Sequence, residues 1–281
     1  MKNLLAHEWL FGGYMLAMGL ALLAASGPLA PDTLAYGAGL VIAACLIAYA
    51  ARRDTPAAWR WRLLFYPLAM NVYFQQMRTA VPALRPEKMD ALLLAVDRAI
   101  LPDTPSLLLQ PWVTPWATEF FSFCYILFFP YLTISLVAYF VGDLKRLKAF
   151  TVGLFSLYGL GFLGYALVPA AGPYLAMPDA FAVPLTGGPI TEWNAGLVKM
   201  GSSGVDVFPS LHVAVSTFLL GFDFRHKRWR FWAYLVPCVG LWLSTQYLRY
   251  HYFIDVLFGF ALAALALWLA EQQFARERTH E

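Results

Sequence analysis

Long apolar stretches recur along this chain, and they limit its folds more than any other feature. A helix that crosses a bilayer needs about 20 consecutive, mostly apolar residues. Eight such windows can be read, at roughly 9–26, 33–50, 63–83, 117–141, 149–169, 209–224, 231–248 and 252–270. The third is the weakest, because Asn71, Gln75 and Gln76 interrupt it. Hydrophobic residues make up 60% of the chain and charged residues only 13%. A soluble domain carries about 25% charged residues. That deficit excludes a soluble enzyme, a disordered tail and a nucleic-acid binder. The expected fold is all-α: a polytopic transmembrane helical bundle of about eight spans, forming a single integral-membrane domain over 1–281. Met1 to Leu10 lack the charged region and small-residue cleavage site of a signal peptide. Cys45, Cys124 and Cys238 all fall in apolar stretches, so no disulfide framework is visible.

The segment 87–101 alternates charged and apolar residues at helical spacing. It reads as an interfacial amphipathic helix, or equally as an ordinary loop helix packed on the bundle. Lys and Arg placement gives a topology. With a cytoplasmic N-terminus, the inner segments hold Lys2, Arg52, Arg53, Arg60, Arg62, Lys145, Arg146, Lys148, Arg225, Lys227, Arg228, Arg230, Arg276 and Arg278, which is 14 of the 20 basic residues. Such a bias is what the positive-inside rule predicts, and an even number of spans puts both termini in the cytoplasm. Two long outer segments remain, 84–116 and 170–208, both rich in Pro and Gly. Long loops of this kind are commonly functional.

His7, His226 and His280 fall at the inner face or tail and read as plain interfacial residues. His212 and His251 both fall at the outer face. Asp255 follows His251 by four residues and shares its helical face. Ionisable side chains at membrane depth are functional candidates by default. A carboxylate beside His251 would fix its tautomer and leave the other ring nitrogen free. Alternatively, Asp255 only pins a helix end. Pro209-Ser210 at a helix start would present free backbone N–H groups suited to phosphate. Two His and one Asp could also ligate zinc, but no Cys or further His lies on that face, so no metal or other cofactor is expected.

The string Phe208-Pro209-Ser210-Leu211-His212, followed by Tyr250-His251-x3-Asp255, resembles the type 2 phosphatidic acid phosphatase superfamily. Within it, the likeness is greatest to the aureobasidin-resistance, or inositol phosphorylceramide synthase, branch. Supporting strings are Ala95-Val96-Asp97-Arg98-Ala99-Ile100-Leu101, Val168-Pro169-Ala170-Ala171-Gly172-Pro173-Tyr174 and the run from Leu248 to Leu257. The likeness covers roughly 60–270, with a catalytic core at about 117–270. It implies that His251 is a nucleophile forming a phosphohistidine, that Asp255 orients it, and that His212 protonates the leaving group. The family's third motif carries a Ser-Arg pair where this chain has Ser244-Thr245. Its first motif, Lys-x6-Arg-Pro, reads Tyr165-x6-Gly172-Pro173 here. The missing positive charge would come from elsewhere. Arg249 is one candidate. Arg78 and Arg85, in Arg78-x6-Arg85-Pro86, are others, unless both are interfacial anchors. Lys199 is either a phosphate contact or a solvated loop residue.

The resemblance implies a membrane phospholipid donor and either water or a lipid hydroxyl as acceptor. Water would make the protein a phosphatase of a lipid phosphate or a polyprenyl diphosphate, and a lipid hydroxyl would make it a head-group transferase. A lipid transporter is disfavoured, because the polar residues cluster at one face and no repeat is visible. Aromatic residues crowd the fourth span, including Trp112, Trp116, Phe120, Phe121, Tyr125, Phe128, Phe129 and Tyr131. They form an interfacial belt or line a lateral passage for an acyl chain. Glu119, near the same end, could bond an acceptor hydroxyl or pair with an outer Arg.

Overall fold

The structure is a computed structural model that describes residues 4–279. His280 and Lys2 lie outside the described residues. The chain is all-α, as the apolar periodicity predicts. Its helices are α1 (Ala6–Ser26), α2 (Pro31–Arg53), α3 (Pro56–Leu84), α4 (Asp90–Ile100), α5 (Pro105–Leu108), α6 (Pro115–Ile126), α7 (Phe128–Phe140), α8 (Leu144–Leu167), α9 (Pro173–Ala176), α10 (Pro189–Gly201), α11 (Leu211–His226), α12 (Arg228–Tyr247) and α13 (Phe253–Thr279). Among the described residues the nearest thing to a sheet is one parallel bridge, Ala170 to Asp206.

Local chemistry explains where helices begin. Pro fills the first turn of α2, α3, α6 and α10, where no intrahelical N–H partner exists to be lost. Thr55, Thr114 and Ser210 cap α3, α6 and α11 through their side-chain oxygens. Every expected span coincides with helix. Five segments are long and apolar enough to cross a membrane: α1, α2, Pro115–Phe140, α8 and α13. The other three, α3, α11 and α12, are helical but do not meet that measure. The fourth span is two helices, with the chain breaking at Leu127 between α6 and α7.

The chain groups into two compact units. The first comprises Met1–Glu87, Leu136–Ala166 and Ala264–Glu281, and the second comprises Lys88–Ser135 and Leu167–Ala263. The first unit is held by buried polar pairs within an aromatic core. Glu8 receives two charge-assisted hydrogen bonds from Arg62, at 2.7 and 2.5 Å, and both residues are buried. Tyr14 and Tyr36 share a 2.6 Å hydroxyl contact, and Tyr36 stacks on Tyr73. At Gly159 a Cβ would stand 2.7 Å from the Phe11 Cα, so only glycine lets α1 and α8 approach so closely. Arg62, counted among the inner-segment cations, is committed to a buried ion pair with Glu8. One expectation changes here. His7 is fully buried, edge-on to Tyr66, rather than interfacial.

The second unit carries α4 to α6, the first part of α7, α9 to α12 and the start of α13. Here Arg230 is buried against Asp223, which also accepts a 2.9 Å hydrogen bond from Tyr131. His226 is half-buried, with its ring 4.3 Å from that of Phe222.

Helix α4 is the expected amphipathic helix, but its acids do not all face water. Asp97 is fully buried beside Leu93, while Leu92 and Ile100 are about half exposed. The reason is backbone hydrogen bonding. Asp97 accepts from Phe253 N at 2.8 Å, Ile254 N at 3.0 Å and the Thr104 hydroxyl at 2.7 Å. It therefore caps the start of α13, satisfying donors that the helix cannot satisfy itself. Asp90, one end of the same helix, accepts from Ala171 N, Gly172 N and the Tyr252 hydroxyl. One short helix thus fixes the backbone of Ala171 and Gly172, the Tyr252 side chain and the chain that follows it.

Candidate active site

His251 sits in the turn between α12 and α13. That turn is built by the Thr245 carbonyl, which accepts from Tyr250 N and His251 N, both at 3.0 Å. Arg249 takes a left-handed backbone conformation within it, with φ 68°. Gly172 faces the same turn with φ +86°, and a Cβ there would run into the Tyr250 carbonyl oxygen. A residue other than glycine would be strained at that position whatever its size.

The His251 ring is buried. Its Nδ1 lies 3.1 Å from the Val207 carbonyl oxygen and 3.5 Å from Asp255 Oδ2. A carbonyl only accepts, so Nδ1 carries the proton and Nε2 carries the lone pair. Asp255 is fully buried, and its Oδ2 accepts from Tyr252 N at 2.8 Å. It pins the first turn of α13, as one of the two alternatives read from sequence has it, and flanks the imidazole at 3.5 Å, with the Val207 carbonyl as the nearer partner. Burial pushes the His251 imidazole down to about 4, while the Asp206 charge and the Val207 hydrogen bond act upward.

His212 lies in the first turn of α11. Its carbonyl accepts from the Ser216 hydroxyl at 2.6 Å, and Ser216 in turn accepts from Trp242 Nε1. The imidazole Nε2 is 3.0 Å from the Tyr125 hydroxyl. Tyr125 and Phe128 flank the ring, each with centroids at 4.7 Å. The two imidazoles are 6.0 Å apart, centroid to centroid. A main-chain bond from Ser210 N to the Asp255 carbonyl, at 3.0 Å, locks the starts of α11 and α13 together. His212 and His251 line one cavity of about 30 Å³, shared with Tyr125, Ala171, Tyr174, Val198, Ser202, Asp206, Val207 and Tyr250. Among the described residues, no group of three His, Cys, Asp or Glu side chains is arranged to hold a metal ion.

The five residues read as phosphate ligands are not gathered at this cavity. Ser210 is fully buried, and its hydroxyl accepts from Val213 N at 3.4 Å, which is a helix cap. Arg249 turns away, donating to the Val183 carbonyl and lying 4.1 Å over the Phe181 ring. Lys199 is exposed near the end of α10. Arg78 and Arg85 are exposed residues that do not line the cavity. At the third-motif position Thr245 is buried, and its hydroxyl bonds back to the Trp242 carbonyl.

Glu119 takes neither role read from sequence. It accepts from Gly188 N, Ile190 N, Thr191 N and the Thr191 hydroxyl, at 2.6 to 3.0 Å, so it caps α10. The aromatic crowding on α6 is more than a belt, since Tyr125 reaches His212. Sequence reading missed Asp206, Tyr174 and Tyr250 as cavity residues. The only signal for Asp206 was a lone acid two residues before the His212 motif.

Two imidazoles thus share one cavity in a chain with five segments long and apolar enough to cross a membrane. The chain belongs to the PAP2 superfamily, whose family profile matches residues 91–269. It is also 32% identical over 153 residues to phosphoinositol dihydroceramide synthase of Bacteroides thetaiotaomicron. That alignment covers 48% of this chain and 48% of the relative, so the chain spans about half the length of the curated protein it matches. No solved structure matches the chain. The inositol phosphorylceramide synthase-like branch read from sequence is the branch to which that relative belongs.

Proposed function

We propose that this enzyme transfers a phospho head group between membrane lipids through a phosphohistidine on His251. The observation that carries the reading is the paired imidazoles on one cavity, with the Nδ1 proton of His251 held by Val207. The Nε2 lone pair of His251 attacks the phosphorus of a phospholipid, and the bond from phosphorus to the lipid alkoxide oxygen breaks. His212 gives its proton to that oxygen, releasing an alcohol. An acceptor hydroxyl then attacks the phosphohistidine, its proton passes to His212, and the phosphorus–nitrogen bond breaks to restore His251. Asp255 and the Val207 carbonyl hold the imidazole and stabilise the charge it gains. No step calls on a metal ion. The relative's name supports a phosphoinositol-bearing donor and a long-chain hydroxyl acceptor.

Hydrolysis is the second reading, and the cavity favours it in one respect. Its volume of about 30 Å³ holds a water, which needs roughly 10–15 Å³. The Lys and Arg distribution supports an active site on the non-cytoplasmic face with both termini cytoplasmic.

The test follows phosphorus. Purified protein receives labelled phosphatidylinositol with and without a ceramide acceptor, beside His251→Ala and His212→Ala. Transfer predicts a new phospholipid only with acceptor, a labelled acid-labile enzyme adduct, and loss of both in His251→Ala. Free inositol phosphate regardless of acceptor would indicate hydrolysis. A fully active His251→Ala would refute the covalent path.

A further inference from the structure

The cavity beside the histidines has an electrostatic character unexpected for a phosphate site. Among the described residues of its wall, Asp206 is the charged side chain, and no Lys or Arg is present. Asp206 is held in place from its own loop. Its Oδ1 accepts from the Ser202 hydroxyl at 2.8 Å and from Gly204 N at 3.0 Å. Gly204 makes that turn with φ +74°, and the bridge to Ala170 anchors the strand-like backbone. Oδ2 takes no hydrogen bond among the described residues, and the Asp206 charge acts on His251. Lys88 comes near the same loop, 3.8 Å from where a Cβ on Gly204 would stand, but it is not part of the wall.

A phosphate monoester carries close to two negative charges at neutral pH. A phosphodiester carries one. Each unit of charge about 6 Å from a carboxylate, at an effective dielectric near 20, changes affinity by on the order of 10- to 100-fold. The same Asp206 therefore penalises a monoester once more than a diester. Building on the transfer reading above, we propose that Asp206 sets substrate class, admitting phosphodiester lipids to His251 and turning away phosphomonoester lipids.

The test compares phosphatidylinositol and phosphatidic acid with matched acyl chains, at pH 8 and with a saturating ceramide acceptor, in the full chain. Both lose the same leaving group, so diacylglycerol release reads both reactions. Wild type, Asp206→Asn and Asp206→Glu are measured for kcat/KM on each lipid. Asn keeps the Oδ1 acceptor for Ser202 and Gly204, so the loop survives while the charge goes. The expected result is a wild-type preference for the diester of at least about tenfold, which Asp206→Asn reduces by about 10- to 100-fold. Asp206→Glu keeps the charge and holds the preference within about threefold of wild type. An unmoved preference in Asp206→Asn, or an equal loss in Asp206→Glu, overturns the proposal while leaving the transfer reading intact. Turnover of neither lipid by wild type overturns the transfer reading, and this proposal with it.

Discussion

Asp97→Asn is the substitution through which the architecture of this site is best probed. Two carboxylate oxygens serve three donors: Oδ1 receives Ile254 N, and Oδ2 receives Phe253 N and the Thr104 hydroxyl. An amide has one acceptor oxygen. Whichever way Asn turns, its NH₂ meets a backbone N–H at the start of α13, and that donor is orphaned in a buried setting. One orphaned donor costs about 1–3 kcal/mol. Loss of a negative charge at a helix N-terminus adds about 0.3–1 kcal/mol, more when partly buried. The expected destabilisation is about 1–4 kcal/mol, which lowers the melting temperature by roughly 3–15 °C. Phe253 and Ile254 lie between His251 and Asp255, so the loss also disturbs the imidazole. Displacing a reacting group by about 1 Å costs on the order of 100-fold in rate. We therefore expect kcat to fall about 10- to 100-fold while KM for the donor lipid stays within about threefold. Thermal unfolding in detergent and steady-state turnover read the two effects. Arg98→Ala, at an exposed pair with Asp103, is the control and should cost no more than about 1 kcal/mol. An Asp97→Asn protein that melts within about 2 °C of wild type and turns over normally would refute the capping argument.

Two further outcomes follow from the site. Tyr125→Phe removes the hydroxyl 3.0 Å from His212 Nε2. On the proposed acid–base role of His212, steady-state kinetics should show kcat down about tenfold with KM little changed, since one hydrogen bond is worth about 1–1.5 kcal/mol. The folded state holds His251 down at about 4, against about 6.5 unfolded. Between those values the unfolded chain binds the extra proton, so stability rises with pH through this window and is lost as pH falls from 6.5 towards 4. Melting curves from pH 7 to 4 should slope accordingly, and His251→Gln should flatten the slope. An unchanged slope would show that His251 does not contribute to it.

The helices and the histidine pair were legible in the sequence because both are local signals. Apolar runs set the spans, and two short motifs marked His212 and His251, which the fold brings within 6.0 Å. The roles of the carboxylates were not legible. Asp97 serves N–H groups 156 and 157 residues away, and Glu119 serves groups about 70 residues away. No periodicity carries such a pairing, so Asp97 read as part of a polar helix face. Arg249 misled for the opposite reason. Its position two residues before His251 put it near the site, but its left-handed backbone sends the guanidinium to Val183 and Phe181. Proximity in sequence did not fix direction. Likewise, Arg62 and Arg230 counted as inner-face cations, yet each is committed to a buried acid.

The histidine geometry is written largely in peptide groups. The Val207 carbonyl holds His251, the Thr245 carbonyl shapes its turn, and Ser210 N is tied to the Asp255 carbonyl. Main-chain atoms do not change when side chains do. Wall residues that touch neither imidazole are therefore open to replacement without retuning the histidine pair. For a designer seeking a different head group or acceptor, Tyr174 and Val198 are the palette, and the backbone around His251 is the canvas to leave alone.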